Sequence, residues 1–197
     1  MALVFATHNK HKVDEVLALL AGTGAAPLPL TTLADHGFTD DPPETTGTFE
    51  GNALQKARYV FERLGGVAIA DDSGLEVDAL GGAPGVHSKR FSPEQTADAN
   101  NRLLLHRMTG VVDRRARFRC VLAVVGPGGE LTSDGRCEGH IGTELRGAHG
   151  FGYDPLFWPD DVPGRTLAEL QMAEKNLVSH RARAFARLHA MLESIRG

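Results

Sequence analysis

The spacing of apolar residues changes several times along the chain, and each change marks an element. Leu3-Val4-Phe5-Ala6 is a continuous apolar run of strand length. A polar stretch from Thr7 to Lys12 follows. Val13, Val16, Leu17 and Leu20 then recur at helical spacing, with Gly22 as the stop signal. Pro27 to Thr46 is rich in Pro, Thr and Asp and reads as a surface segment holding a short strand. Thr48 stands as the N-cap of a second helix, whose apolar face is Phe49, Ala53, Leu54, Ala57, Val60, Phe61 and Leu64, closed by Gly65. Val67 to Ala70 reads as a buried strand leading into Asp71-Asp72-Ser73-Gly74. Gly81 to Gly85 is a loop. Ser92-Pro93-Glu94-Gln95 has the form of a helix start, and that helix is expected to run to about Met108.

Phe118 to Val125 and Glu130 to His140 read as a hairpin around Gly126-Pro127-Gly128-Gly129. Gly147 to Pro159 is rich in glycine and aromatics, and Thr166 with Glu169 has capping-box spacing. A last helix places Ala182, Phe185, Leu188, Leu192 and Ile195 on one side. No internal repeat or low-complexity tract interrupts this order. The β/α alternation followed by a hairpin predicts an α/β fold with a sheet of mixed direction.

Composition narrows the class. A chain of 197 residues is most simply one domain, 1–197, and 42% hydrophobic content supports a sizeable core. A net charge of −4 argues against a general nucleic-acid surface, though not against a local basic pocket. No apolar run reaches the length of a membrane span. Met1 to Phe5 is too short for a signal-peptide core, so a cytoplasmic protein is expected. Cys120 and Cys137 flank the expected hairpin and read as small core residues. No Cys/His spacing resembles a zinc site.

Five constellations carry candidate chemistry. Asp71-Asp72-Ser73-Gly74, at the end of an apolar strand, suits a metal–phosphate site, because buried carboxylates are costly unless paired or metal-bound; an Asp-rich surface turn is the alternative. Neighbouring strand residues point to opposite faces, so Asp71 and Asp72 reach one metal only if the chain turns between them, which favours Asp72. Thr7, His8, Asn9, Lys10, His11 and Lys12 join a strand to a helix, where free N–H groups and added charge suit an anion; a solvated basic turn is the alternative. Asn52 and Lys56 share a helix face, and Glu44 precedes them as a possible second metal carboxylate or an exposed loop acid. Gly150-Phe151-Gly152-Tyr153-Asp154-Pro155 offers flat faces for a base and an acceptor for a ring N–H, or else an aromatic-anchored turn. Lys175 with Ser179-His180-Arg181 supplies donors for a base oxygen or phosphate, or a basic helix face. Arg114, Arg115, Arg117 and Arg119, alternating with Ala116 and Phe118, read as the solvent face of a strand, with a polyanion-binding role as the less favoured alternative.

In this order and spacing the motifs resemble the inosine triphosphate pyrophosphatase family, the non-standard purine NTP pyrophosphatases. The resemblance is carried by Thr7-x-Asn9-x-x-Lys12, Glu44 to Ala57, Ala70 to Leu75, Gly81 to Val86, Gly150 to Pro155, and Glu174-Lys175-Asn176 with Ser179-His180-Arg181. It implies a two-lobed α/β fold around a long mixed sheet with flanking helices, with the active site in the cleft between lobes. It further implies a homodimer, Mg²⁺ dependence, and hydrolysis of ITP, dITP and XTP to the monophosphate and pyrophosphate, which cleanses the nucleotide pool. Glu44 and Asp72 would hold the metal and Asp72 would accept the proton. Thr7 to Lys12, Lys56, Ser73, Phe151, Gly152, Tyr153, Asp154, Lys175, His180 and Arg181 would bind the nucleotide. Two departures stand out. His8 and His11 occupy positions where small residues are common, and Gly51 stands where an acid is common. Competing readings are a Maf-like pyrophosphatase with other base preferences, a silent nucleotide binder, and a structural interaction domain.

Overall fold

The computed structural model describes residues 3–22 and 29–195. The elements run β1 (Leu3–Phe5), α1 (Lys10–Gly22), β2 (Leu30–Thr32), α2 (Phe49–Leu64), β3 (Val67–Val77), α3 (Ala97–Arg107), β4 (Arg115–Gly126), β5 (Gly129–Ile141), β6 (Phe157–Pro159), α4 (Met172–Val178), α5 (His180–Phe185) and α6 (Leu188–Ile195). Six strands form one sheet in the order β2-β1-β3-β4-β5-β6. β1 pairs in parallel with β2 and β3, whereas β5 and β6 are antiparallel. The expected α/β fold with a mixed sheet is therefore present.

The chain divides into two compact units. The first comprises residues 1–72, 120–135 and 181–197, and the second 73–119 and 136–180. β3, β4 and β5 each contribute to both. In the first unit, Leu3, Phe5, Val67, Ile69, Cys120, Leu122 and Val124 pack with Val16 of α1 and with Phe185, Leu188 and Leu192 of the C-terminal helices. In the second, Leu75, Val77, Phe118, Cys137 and Ile141 pack with Leu104, Tyr153, Leu156, Phe157 and Leu167. Cys120 and Cys137 are buried thiols, not joined by a disulfide.

Several expected boundaries move. β3 does not end at Ala70 but continues through the Asp pair to Val77. Gly22 is the last residue of α1 rather than the first beyond it, and Leu17 is 46% exposed, off the buried face. The expected surface segment from Pro27 holds β2, with residues 27 and 28 outside the described ones. α3 starts at Ala97, not at Ser92. Thr96 caps it by accepting from the Ala99 N–H at 3.2 Å, and Gln95, at φ 53°, breaks any helix entering from Ser92. The expected last helix is two, α5 and α6, separated at 186–187. Thr166 and Glu169 do form a capping box, over a single 3₁₀ turn. Arg114 lies outside β4 and donates to the carbonyls of Met108, Ile141 and Gly142. Arg117 is not a bare solvent-face residue, because Asp78 and Glu138 both pair with it.

Candidate active site

In the first unit, β3 sends two consecutive carboxylates to different partners, as alternation along a strand requires. Asp71 Oδ1 is 3.1 Å from Lys12 Nζ, and its Oδ2 accepts from Arg181 Nε at 3.2 Å and Nη2 at 3.1 Å. Arg181 Nη1 also pairs with Glu15 of α1. Burial opposes ionisation of Asp71, but Lys12 and Arg181 outweigh it and hold the carboxyl well below the usual range. Burial works against the Arg181 charge too, and Asp71 and Glu15 overcome it. A strand can carry a buried Asp here because two cations meet it.

Asp72 faces α2. Its Oδ2 accepts from Asn52 Nδ2 at 2.9 Å, and its Oδ1 lies 3.5 Å from Lys56 Nζ. Lys56 Nζ is also 2.6 Å from Glu44 Oε1. One ammonium thus draws Glu44 and Asp72 together. Burial pushes the Asp72 carboxyl up, ahead of the opposing pull of Lys56 and Lys12, with Glu44 adding to the rise. Burial alone would lower Lys56, yet Asp72 and Glu44 raise it. Among the described residues no group of three or more His, Cys, Asp or Glu side chains is placed to hold a metal. Two hard carboxylate donors, Glu44 and Asp72, do fit Mg²⁺, which takes one or two protein carboxylates and completes its shell with water and substrate phosphate.

The turn before α1 is built by its own polar residues. Asn9 N–H donates to Thr7 Oγ1 at 3.1 Å. Asn9 Oδ1 accepts from the N–H groups of His11 at 3.1 Å and Lys12 at 3.4 Å, so Asn9 caps the helix. His8 is turned to its own chain: Nδ1 is 2.8 Å from Asp41 Oδ1 and Nε2 is 3.0 Å from the Phe38 carbonyl. Lys10 and His11 are exposed.

In the second unit, Asp154 is the centre. Its Oδ2 accepts from Lys175 Nζ at 2.6 Å and from the Phe151 N–H at 2.8 Å. Gly150 makes this possible, since a Cβ there would stand 2.1 Å from Asp154 Oδ2. Lys175 Nζ lies 5.1 Å from the Phe151 ring centroid. Tyr153 is buried and its hydroxyl donates to the Ser88 carbonyl at 2.9 Å, so it anchors the turn. The Gly152 carbonyl accepts from Asn101 Nδ2 at 2.9 Å. His180 stacks on Phe118 with centroids 4.8 Å apart. Ser73 is half-buried in β3.

The sequence-expected residues therefore fall into two clusters. Thr7 to Lys12, Glu44, Lys56, Asp71, Asp72 and Arg181 belong to the first unit, and Ser73, Phe151 to Asp154, Lys175 and His180 to the second. Arg181, expected among the base or phosphate donors, is buried between Asp71 and Glu15. Sequence reading missed Glu15 and Asn101. No local signal marked Glu15, since adjacent helix residues do not share a face and it stands away from the expected apolar face of Val13, Val16, Leu17 and Leu20.

A sequence model of the Ham1 family matches residues 3–191. A dITP/XTP pyrophosphatase of Thermoanaerobacter sp. (strain X514) is 46% identical over 191 residues, covering 95% of this chain and 94% of its own. The solved Ham1 protein of Staphylococcus aureus superposes with TM-score 0.86 at 34% identity, covering 98% of each chain. A HAM1 protein from Coxiella burnetii gives 0.85 at 37% identity, with 98% of each chain covered. The chain belongs to the Ham1 family.

Proposed function

We propose that this chain hydrolyses deaminated purine nucleoside triphosphates, ITP, dITP and XTP, to the monophosphate and pyrophosphate, with Mg²⁺ as cofactor. The observation that carries the reading is the pairing of Glu44 and Asp72 on Lys56, with Asn52 holding Asp72 from the side. The names of the relatives point the same way. Mg²⁺ held by Glu44 and Asp72 would supply charge neutralisation and lower the pKa of the attacking water. Asp72 takes a proton from that water as its oxygen bonds to the α-phosphorus. The bond from that phosphorus to the bridging oxygen breaks, and its electron pair leaves with pyrophosphate. Lys56, Lys12 and the first N–H groups of α1 balance the charge of the triphosphate. Thr7, Asn9, Lys10, His11 and Ser73 are assigned to the phosphates and sugar. His8 and Arg181 hold the first cluster from behind.

The second unit is assigned to the base. Phe151 stacks on it, Asp154 and His180 address its polar edge, and Gly152, Tyr153 and Lys175 hold that turn in shape. Hypoxanthine and xanthine carry a carbonyl at position six and a protonated N1, where adenine carries an amine and a bare nitrogen. A site built for the first pattern rejects the second by factors on the order of 10⁴. Replacing Phe151 by Ala removes a stacking surface worth about 1–3 kcal/mol per base, so KM for ITP rises at least several-fold; an unchanged KM would contradict the assignment.

The whole chain, 1–197, acts as one pyrophosphatase domain, as a cytoplasmic homodimer; the two buried thiols are in keeping with a reducing compartment. Asp72→Asn tests the reading. Turnover of ITP is expected to disappear while nucleotide binding, followed by calorimetry, is largely kept. Near-normal turnover in that variant would overturn the role of Asp72.

A further inference from the structure

Asp72 is held by a side chain whose own orientation is fixed from behind. Asn52 Nδ2 donates to Asp72 Oδ2 at 2.9 Å. The other end of the same amide, Asn52 Oδ1, accepts from the Thr46 N–H at 3.1 Å and from the Thr46 hydroxyl at 2.9 Å. Turned over, the amide would set its oxygen against a carboxylate and its NH₂ against a backbone N–H. Two donors from one residue therefore keep the donor end of Asn52 on Asp72.

Thr46 reaches this place because residue 51 has no side chain. A Cβ at Gly51 would lie 2.3 Å from Thr46 Oγ1, 2.6 Å from Thr46 Cβ and 2.8 Å from Thr48 Oγ1. Thr48 Oγ1 caps α2 by accepting from the Gly51 N–H at 3.0 Å, so it has little freedom to yield. Glycine weakens a helical turn relative to any ordinary residue, and here it is retained in the first turn of α2.

We propose that Thr46 is a positioning residue for Asp72, acting through the Asn52 amide, and that Gly51 is there to admit it. This rests on the reading of Asp72 as the proton acceptor. Thr46 acts through Asn52, and so sets the direction of the group that receives the proton.

Thr46→Val removes the hydroxyl and keeps the branched shape. Its kcat on ITP is expected to fall by up to about tenfold, the upper range for one lost hydrogen bond, with KM within about twofold and Thr46→Ser close to wild type. Gly51→Ala should lower kcat similarly. The double variant Thr46→Gly, Gly51→Ala should match Thr46→Gly alone, because the clash then has no partner. In the protein without metal or nucleotide, the Asn52 side-chain NH₂ signals should exchange with solvent faster in Thr46→Val than in wild type. Wild-type kcat in Thr46→Val, losses that simply multiply in the double variant, or unchanged Asn52 exchange would each overturn the proposal. An Asp72→Asn chain that still turns over would instead overturn the reading on which it rests.

Discussion

Lys12, Glu44, Lys56, Asp71, Asp72 and Arg181 of the first cluster are each fixed by a charged neighbour, and His8 shows how far such pairing extends. Both ring nitrogens face acceptors, Asp41 and the Phe38 carbonyl, and only the imidazolium can donate to both. The hydrogen bond to Asp41, then that to Phe38, raise the His8 pKa above its ordinary value. A raised folded pKa means a stabilising contribution that is complete below the unfolded value, near 6.5, and lost as pH rises through the folded one. The pair is near the surface, so the contribution is at most about 1 kcal/mol. His8→Gln should melt below wild type at about pH 6 and together with it at about pH 9. Equal differences at both pH values would contradict this account of His8.

At the scale of elements, β3 and the helices packed on it deliver the first cluster. α1 brings Lys12 and Glu15 and α5 brings Arg181; Lys12 and Arg181 meet at Asp71, and Glu15 pairs with Arg181. Arg181→Leu would take one cation from buried Glu15 and one from buried Asp71. It should cost about 3–5 kcal/mol of stability, read from urea unfolding; a loss under about 1 kcal/mol would mean that this buried group is not a structural unit. The end of β3 was not legible in the sequence for the same reason. Two adjacent aspartates look like a strand terminus, because nothing local says that cations from residues 12 and 181 will neutralise one of them. Helix α2 was legible, since its Thr48 cap and apolar face are local signals. The start of α3 was not. Ser92-Pro93 has the right composition, but Thr96 won the cap and Gln95 took a left-handed conformation.

For the whole molecule, the sequence carried the α/β class and the mixed sheet through its alternating elements and its hairpin. It carried the family through the joint order of motifs that are weak one by one. Partners lying far apart in the chain were beyond it: Glu15 with Arg181, Tyr153 with Ser88, Asn101 with Gly152. The units exchange the chain at Asp72–Ser73 and at His180–Arg181, so two of the motifs straddle a boundary between them. A chain of net charge −4 that acts on a polyanion must gather cations locally, and Lys12 and Lys56 are so gathered on Asp71, Asp72 and Glu44. The most direct test of the proposed chemistry is pyrophosphate release from ITP, XTP, GTP and ATP, each with and without Mg²⁺. Mg²⁺-dependent release from ITP and XTP, with little from GTP or ATP, is the predicted result. Release from other nucleotides in preference, or from none, would contradict it.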